Sequence, residues 1–412
     1  MARPRLQERR QALGHTQESL AAEIGVETST VRRWETQDRA PLPQHRRRLA
    51  EALNVSATEL ARLLITTADT TPTGSLRSPT GEGIDPMIRR DLLRIALTSG
   101  ALMSTTALNG PSPTTPESLS DLNAVGQHLW RVYGKTEAKT TLMPAVAEHL
   151  QTLHDHLSSR SRAADIRRLC ELHSQALQLS GEILFDAGLY DEAADNYALA
   201  ASAAREADAF DLWSCAMTRY ALISTTEHRW RESLEVLDAA ARVAARGDST
   251  QPSRQWVASV QAEASAHAGA EHDTQRYLDR ALTVHHLTGP VGNGGWLRFD
   301  GTRLPEQEAA CLIALGKFDR AEARLETALH APTTPRRTAA IRCDQATIAL
   351  YRNDFDAVES YIGAAANLAV RTGSSYIAAK LADFNSNLNA SAGASRRAST
   401  ITGLIASTIR QT

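Results

Sequence analysis

A recurring frame of small residues constrains the fold of this chain more than any other feature. Residues 120–410 read as continuous amphipathic helix with short breaks, and they contain no convincing strand alternation. Within this stretch a small or β-branched anchor returns at intervals of 40, 41, 47 and 37 residues, at Ala193, Ser233, Thr274, Ala321 and Val358. Each interval has room for two helices, and a helix pair leaves an apolar face exposed until a neighbour covers it. The frame therefore predicts an all-α stack of helix pairs.

Small residues stand where the two helices of a pair would cross, and an aromatic residue fills the space beside them. The first repeat shows this best, with Gly181, the string GLYDEA at 188–193, and Tyr197. The arrangement resembles the tetratricopeptide repeat, whose unit of about 34 residues is shorter than the spacing here. The resemblance implies a tetratricopeptide-like α-solenoid over 120–410 with longer helices or loops. We expect residues 120–158 and 374–410 to add flanking helix pairs.

The same resemblance implies a concave wall formed by the first helix of each pair. Amides, charged groups and aromatic rings interleaved on such a wall suit an extended peptide or a polar small molecule. Transferring the repeat frame places these candidate ligand-binding residues there: Gln175, Gln178, Glu182, Thr218, Thr225, Trp256, Glu263, Arg303 and Asn385. Glu306, Thr347, Asn387 and Asn389 fall on the same wall.

A glycine-rich segment interrupts the array between the third and fourth units. Residues 285–305 contain five glycines together with Trp296 and Phe299. Such a loop can act as a lid over a groove, which would make Trp296 a further ligand-binding candidate. The alternative is an irregular connector whose tryptophan plugs a gap.

A helix–turn–helix pattern dominates residues 1–65. Thr16 is a suitable N-cap for one helix, Gly25 suits the turn that ends it, and Thr28 opens a second short helix. The string LGHTQESLAAEIGVETSTVRRWE resembles the Xre family of Cro/C1-type repressors. Residues 46–53 and 58–64 predict two further helices. The resemblance implies a five-helix DNA-binding domain in which Trp34 belongs to the core. We expect it to pack with the other apolar residues of the two helices: Leu20, Ala21, Ile24 and Val31.

The resemblance also implies which residues touch DNA. The first exposed positions of the third helix face base edges, and here they are Thr28, Ser29 and Arg33. Gln17 starts a helix, where an amide and free N–H groups can hold a phosphate. The remaining phosphate candidates are Arg32, Arg46, Arg47 and Arg48. A phosphate or solvent position for Arg33, and a solvated face for the arginine run, are the alternatives.

Composition divides the rest of the chain into connecting segments. Residues 66–86 are Thr, Pro, Gly and Ser with almost no apolar content, which predicts a flexible linker. Residues 87–108 return to an amphipathic pattern and predict a connector helix, although their RRDLLRIAL string superficially resembles an export motif. Residues 109–119 form a second loop.

Charge and motif content narrow the function classes. The whole chain carries a net charge of −2, whereas residues 1–65 hold eleven arginines against eight acidic residues. A nucleic-acid site is therefore local and only mildly basic, which favours a homodimer on an inverted-repeat operator in double-stranded DNA. The four cysteines form no CxxC motif, and no nucleotide, hydrolase or zinc motif occurs. We expect a cytoplasmic, non-membrane protein with no catalytic residue, no metal and no cofactor.

The layout resembles the peptide-pheromone receptor regulators of Gram-positive bacteria. It implies a transcriptional regulator whose helical array dimerises and binds a peptide or small-molecule signal, as in quorum sensing. The alternative is an interaction scaffold whose array binds a partner protein while the DNA-binding domain localises it. A layout alone does not identify a ligand.

Overall fold

The chain forms two compact units, Met1–Gly81 and Glu82–Thr412. The computed structural model describes residues 4–24, 26, 28–36, 48–50, 52–53, 55, 118–158, 162–287, 294–297, 299–331, 333–392 and 396–411. All regular structure in these ranges is helical and none is strand, which confirms the all-α prediction. The predicted linker and connector helix, and the helix predicted at 58–64, lie outside the described residues.

The first unit builds a small core between three helices, α1 (Pro4–Ala12), α2 (Gln17–Ile24) and α3 (Thr28–Thr36). The hydroxyl of Thr16 accepts a hydrogen bond from the Ser19 amide at 3.0 Å, so the predicted N-cap is confirmed. All the predicted core residues are buried, Trp34 among them. Leu49 and Leu53, which belong to the predicted fourth helix, complete the same cluster.

The second unit is a succession of helix pairs. A first pair, α4 (Leu119–Lys135) and α5 (Met143–Ser158), precedes the repeated part. The pairs that follow are α6 (Ala163–Asp186) with α7 (Tyr190–Glu206), α8 (Phe210–Thr226) with α9 (Trp230–Ala244), α10 (Ser253–His267) with α11 (Glu271–Leu282), α12 (Leu304–Ala314) with α13 (Phe318–His330), α14 (Pro335–Tyr351) with α15 (Phe355–Thr372), and α16 (Ser375–Ala392) with α17 (Arg396–Ile409). The flanking pairs predicted at 120–158 and 374–410 are both present.

A left-handed residue marks the same place in five of these pairs. It lies in the turn between the two helices and is Gly188, His228, Gly269, Gly316 or Asn353, with φ between 58° and 76°. The small or β-branched anchor residue of each repeat follows five residues later and is buried. Glycine and asparagine tolerate positive φ better than other residues, so the turn selects them. The repeat frame seen in the sequence is thus a geometric repeat as well.

The crossing of α6 and α7 explains the glycine in the first repeat of the helical array. A Cβ atom on Gly181 would lie 2.4 Å from the ring of Tyr197, which is closer than any carbon contact allows. Tyr197 is itself fully buried. The glycine therefore makes the space that the aromatic ring occupies, as the sequence pattern predicted.

The first helices of the pairs form a closed series. Successive members of the set α6, α8, α10, α12, α14 and α16, called here the inner helices, pack against one another in order. The last of them, α16, also contacts the first, α6. The two ends of the repeated part therefore meet, and the inner helices together surround the interior of this unit.

One buried carboxylate holds the two ends together. Asp186, at the end of α6, accepts a hydrogen bond from the Ser374 hydroxyl at 2.7 Å. It also pairs with Arg336 of α14, whose Nε lies 2.8 Å from a carboxylate oxygen. The guanidinium of Arg336 lies 4.8 Å from the centre of the Tyr376 ring. We call Asp186, Arg336 and Ser374 the closing contact.

We expect Asp186→Asn to destabilise the second unit. The substitution leaves Arg336 without its charged partner, and breaking a buried ion pair costs about 3–5 kcal/mol in general. Because Arg336 borders the interior cavity and is partly solvated, about 2 kcal/mol is the expected loss here. Urea unfolding followed by circular dichroism measures it.

The matched control is Asp356→Asn, which breaks an exposed pair with Arg397. Exposed pairs contribute about 0–1 kcal/mol, so this variant should unfold like the wild type. Equal stability of all three proteins would contradict the role of the closing contact.

Two buried histidines lie where α5 packs on α6. His149 and His173 expose only 4% and 2% of their surface. Burial lowers the pKa of His149 to about 4, and burial together with the neighbouring His154 lowers that of His173 to about 3. Both imidazoles are therefore neutral in the folded protein at neutral pH.

These histidines predict a loss of stability in mild acid. Their pKa is near 6.5 in the unfolded chain and lower in the folded one, so protons favour unfolding as the pH falls below 6.5 towards 4. At pH 5 the loss is at most about 2 kcal/mol for each histidine. Urea titrations at pH 7.5 and pH 5 measure it. The double variant His149→Gln, His173→Gln should show a shallower pH dependence, and an identical dependence would overturn the assignment.

Candidate functional site

The first unit places the predicted DNA-contacting residues on or beside α2 and α3. Thr28 begins α3 and is half-buried, and Arg32 lies exposed on the same helix. Arg48 is exposed on the helical segment that follows. Arg46, Arg47 and the side chains of Ser29 and Arg33 lie outside the described residues.

Gln17 begins α2 as expected, and its side-chain amide donates one hydrogen bond to Glu35 Oε2 at 2.6 Å. Glu35 is buried and also accepts two hydrogen bonds from the Arg10 guanidinium, at 2.6 and 3.1 Å. This network joins α1, α2 and α3, and the phosphate contact of Gln17 stays a prediction.

The second unit contains a cavity of about 570 Å³ that is partly open to solvent. All six inner helices contribute to its wall, as do the end of α4, from Tyr133, and the residues after it as far as Lys139. The expectation that the first helix of each pair forms the inner wall agrees with this placement. The wall itself differs from an open groove, because the closing contact joins its first and last helices.

Helical spacing decides which side chains reach the cavity. On α10, the side chains of Trp256, Val260, Glu263 and His267 follow one another at intervals of three and four residues and all line the wall. Residues three or four apart lie on one face of a helix. The result is a stripe that carries an aromatic ring, an aliphatic group, a carboxylate and an imidazole.

Arg219 is the most heavily engaged side chain of the wall. Its guanidinium donates to Glu182 Oε1 at 3.0 Å, to Gln178 Oε1 at 2.6 Å and to the Trp296 carbonyl at 2.7 Å. It also lies 4.9 Å from the ring centre of Trp256. Burial alone would lower the pKa of Arg219, but the charge of Glu182 holds it above its usual value. Arg219 is therefore a fixed cation that joins α6, α8 and the glycine-rich segment.

Opposite charges are matched around most of the cavity. Lys380 Nζ lies 2.8 Å from Asp344, and this carboxylate keeps the pKa of the lysine well above its usual value despite burial. Arg337 forms hydrogen bonds to Glu306. A buried charge without a partner is costly, so these pairs stabilise the wall.

Part of the predicted ligand-binding set faces this cavity. Glu182, Thr225, Trp256, Glu263 and Arg303 line it, together with Glu306, Thr347 and Asn387.

The other predicted residues are occupied elsewhere. Gln178 is fully buried and bridges Ser174, the Leu212 carbonyl and Arg219. Thr218 is also fully buried and donates to the Ser214 carbonyl. Asn385 accepts a hydrogen bond from Thr402 of α17, so it faces the outer helix. Gln175 is buried and is not part of the wall, and Asn389 accepts from Thr402 as Asn385 does.

The glycine-rich segment supplies a plug and a piece of wall. Trp296 is 7% exposed and belongs to the main core cluster of this unit, while its carbonyl accepts from Arg219. Its neighbours Leu297 and Phe299 line the cavity. The described part of the segment therefore fits the connector alternative for Trp296. Residues 288–293 and Arg298 lie outside the described residues.

Sequence reasoning missed several wall residues. These include Arg219, Trp230, His267, Arg336, Tyr376 and Lys380. Arg219 directly follows Thr218, so in this part of α8 the transferred repeat frame was wrong by one residue, although Thr225 of the same frame lines the cavity. The cavity-facing set Arg219, Leu222 and Thr226 has helical spacing, and this was the available signal.

The comparisons with known proteins concern the first unit. Residues 6–60 match the helix-turn-helix family HTH_3. No curated protein matches the chain. The N-terminal domain is thus a helix-turn-helix domain consistent with an Xre-type regulator, and it supports a DNA-binding regulator of transcription.

Two further features of the described residues bear on the site. None of their helices combines the length and the apolar character that a membrane span requires. In the same ranges, no group of three or more His, Cys, Asp or Glu side chains has an arrangement that could hold a metal ion.

Proposed function

We propose that the chain is a non-catalytic, ligand-responsive transcriptional regulator that binds an inverted-repeat operator as a homodimer. In this proposal the second unit is a tetratricopeptide-like array, and a peptide or small-molecule signal binds in its cavity. The observation that carries the proposal is that a helix-turn-helix domain and a ligand-sized cavity occur in one chain. Cavities of about 300–1,000 Å³ are typical of small-molecule sites.

The volume of the cavity favours a compact signal over a long extended peptide. A small molecule or a short peptide fits within about 570 Å³. The contact of α16 with α6 closes the ring of inner helices around such a signal.

The DNA-binding part of the proposal predicts different effects for two sets of arginines. Arg33→Ala should relax the base preference at one operator position and cost about 1–3 kcal/mol there. Replacing Arg46, Arg47 and Arg48 with alanine should weaken binding to all sequences alike and reduce its salt dependence. Operator selection from a random library, followed by titration at several salt concentrations, distinguishes the two. Uniform loss in both variants would show that Arg33 does not read bases.

The proposed response to a signal predicts that the signal changes operator affinity through the second unit. The expected coupling is about 1–3 kcal/mol, or roughly 5- to 150-fold in affinity. Operator affinity of the full chain, measured by fluorescence anisotropy with and without a low-molecular-weight cell extract, provides the test. Residues 1–86 alone should not respond to the extract.

A variant that fills the cavity sharpens this test. Ala310 lines the cavity, so Ala310→Trp should abolish the response to the extract while leaving operator binding intact. Ala323→Trp adds the same ring at an exposed position of α13 and should respond like the wild type. If the extract has no effect on any of these proteins, the scaffold alternative is favoured, in which the array binds a partner protein.

A further inference from the structure

The cavity wall contains a carboxylate, Glu263, that forms no ion pair with a lysine or arginine of the described residues. Glu182 pairs with Arg219, Glu306 with Arg337, and Asp344 with Lys380. Glu137 pairs with Arg371, whereas Asp383 lies 3.5 Å from the imidazole of His228, which is a cation only when it is protonated. Glu263 differs from the four carboxylates that pair with a lysine or an arginine, because its hydrogen bond comes from the neutral amide of Gln307, at 3.1 Å.

The surroundings of Glu263 leave a net negative charge at this point of the wall. Lys380 acts on Glu263 electrostatically, but its ammonium group is hydrogen-bonded to Asp344. These three groups together carry one negative charge. His267 lies one turn further along α10, and burial lowers its pKa to about 4, so it is neutral at pH 7.

This charge is held at an energetic cost. Burial raises the pKa of Glu263 above its usual value, because the wall solvates the carboxylate poorly. A carboxylate in such a place is stabilised by any cation that enters and donates a hydrogen bond to it. The side chain is half-buried and faces the cavity, so an entering group can reach it.

Aromatic rings stand on the same part of the wall. The Trp230 and His267 rings are stacked, with centres 4.0 Å apart and planes 5° from parallel. Trp256 lies on the same face of α10 as Glu263. The Arg219 guanidinium already lies over the Trp256 ring and His267 is stacked on Trp230, so these rings offer mainly apolar surface for the hydrocarbon part of a ligand. The combination is suited to a molecule with a cationic end and an apolar body.

We infer that the cavity binds an organic ammonium compound whose cationic group pairs with Glu263. The ammonium can belong to a small amine or to the amino terminus of a short peptide, and the shared chemistry is what Glu263 recognises. The inference deepens the proposed function and relies on it only for the claim that this compound acts as a signal. Binding itself is a separate property of the second unit.

The test uses the full chain and two pairs of probes. The first pair is 2-phenylethylammonium and its neutral analogue 2-phenylethanol, and the second is tetra-alanine amide with a free or an acetylated amino terminus. Isothermal titration calorimetry measures each affinity for the wild type. We expect saturable binding of at least one ammonium probe, at least tenfold tighter than its neutral partner, and the better pair identifies the source of the ammonium.

Three variants complete the experiment. Glu263→Gln should lose at least tenfold in affinity for the ammonium probe, while its affinity for the neutral analogue stays unchanged. Glu263→Asp keeps the carboxylate and should recover part of the loss. Glu235→Gln makes the same change at an exposed position outside the cavity and should bind like the wild type. Circular dichroism confirms that each variant is folded.

The outcomes separate this inference from the proposed function. Absence of saturable ammonium binding, equal affinity for charged and neutral probes, or unchanged affinity in Glu263→Gln overturns the ammonium site. If ammonium binding depends on Glu263 while no compound or extract alters operator affinity, the ammonium site is supported and the proposed response of operator binding to a signal is wrong.

Discussion

The contact between the two ends of the helical array is the constraint on which the cavity depends. A linear stack of helix pairs has two free ends and an open concave face. Here Asp186 at the end of α6 pairs with Arg336 and accepts a hydrogen bond from Ser374, so the last inner helices return to the first. The open face of a solenoid thereby becomes a partly enclosed site, and the residues on the inner helices become its walls.

Enclosure changes what a charged residue on the wall must do. On an open groove, water screens and solvates each side chain, whereas inside a cavity a lone charge is costly. Arg219, Lys380 and Arg337 each have a carboxylate within hydrogen-bonding distance, which meets this requirement. The wall is therefore rich in charge and nearly neutral in sum.

Much of the fold could be predicted from the sequence because the repeat has a local physical cause. A left-handed turn residue and a small anchor five residues later can both be recognised in the sequence, as with Gly188 and Ala193. The packing of α2 against α3 around Trp34 follows from spacing in the same way. The closing contact could not be predicted, because Asp186 and Ser374 are 188 residues apart and each is unremarkable locally.

The candidate site was predicted only in part, for a related reason. Helical periodicity identifies a face to within about one residue, and on α8 that error exchanged Thr218 for Arg219. Gln17 is a second example, since its position at the start of α2 was predicted but its buried partner Glu35 was not. Local patterns predict the position of a side chain on its helix, whereas partners that are distant in the sequence decide which hydrogen bonds its polar atoms form.

A closed series also restricts how the proposed signal could act. In an open solenoid, a small rotation between two repeats alters the curvature freely and adds up along the stack. When the ends are joined, a rotation at any one joint must be absorbed by the others or must strain the closing contact. A compound that bridges α10, α12 and α16 would therefore favour either the closed arrangement or one in which Asp186 and Arg336 separate. It could shift that equilibrium only by the difference between its two affinities. Under the proposed function, the closing contact is thus the element whose state the DNA-binding domain would have to sense.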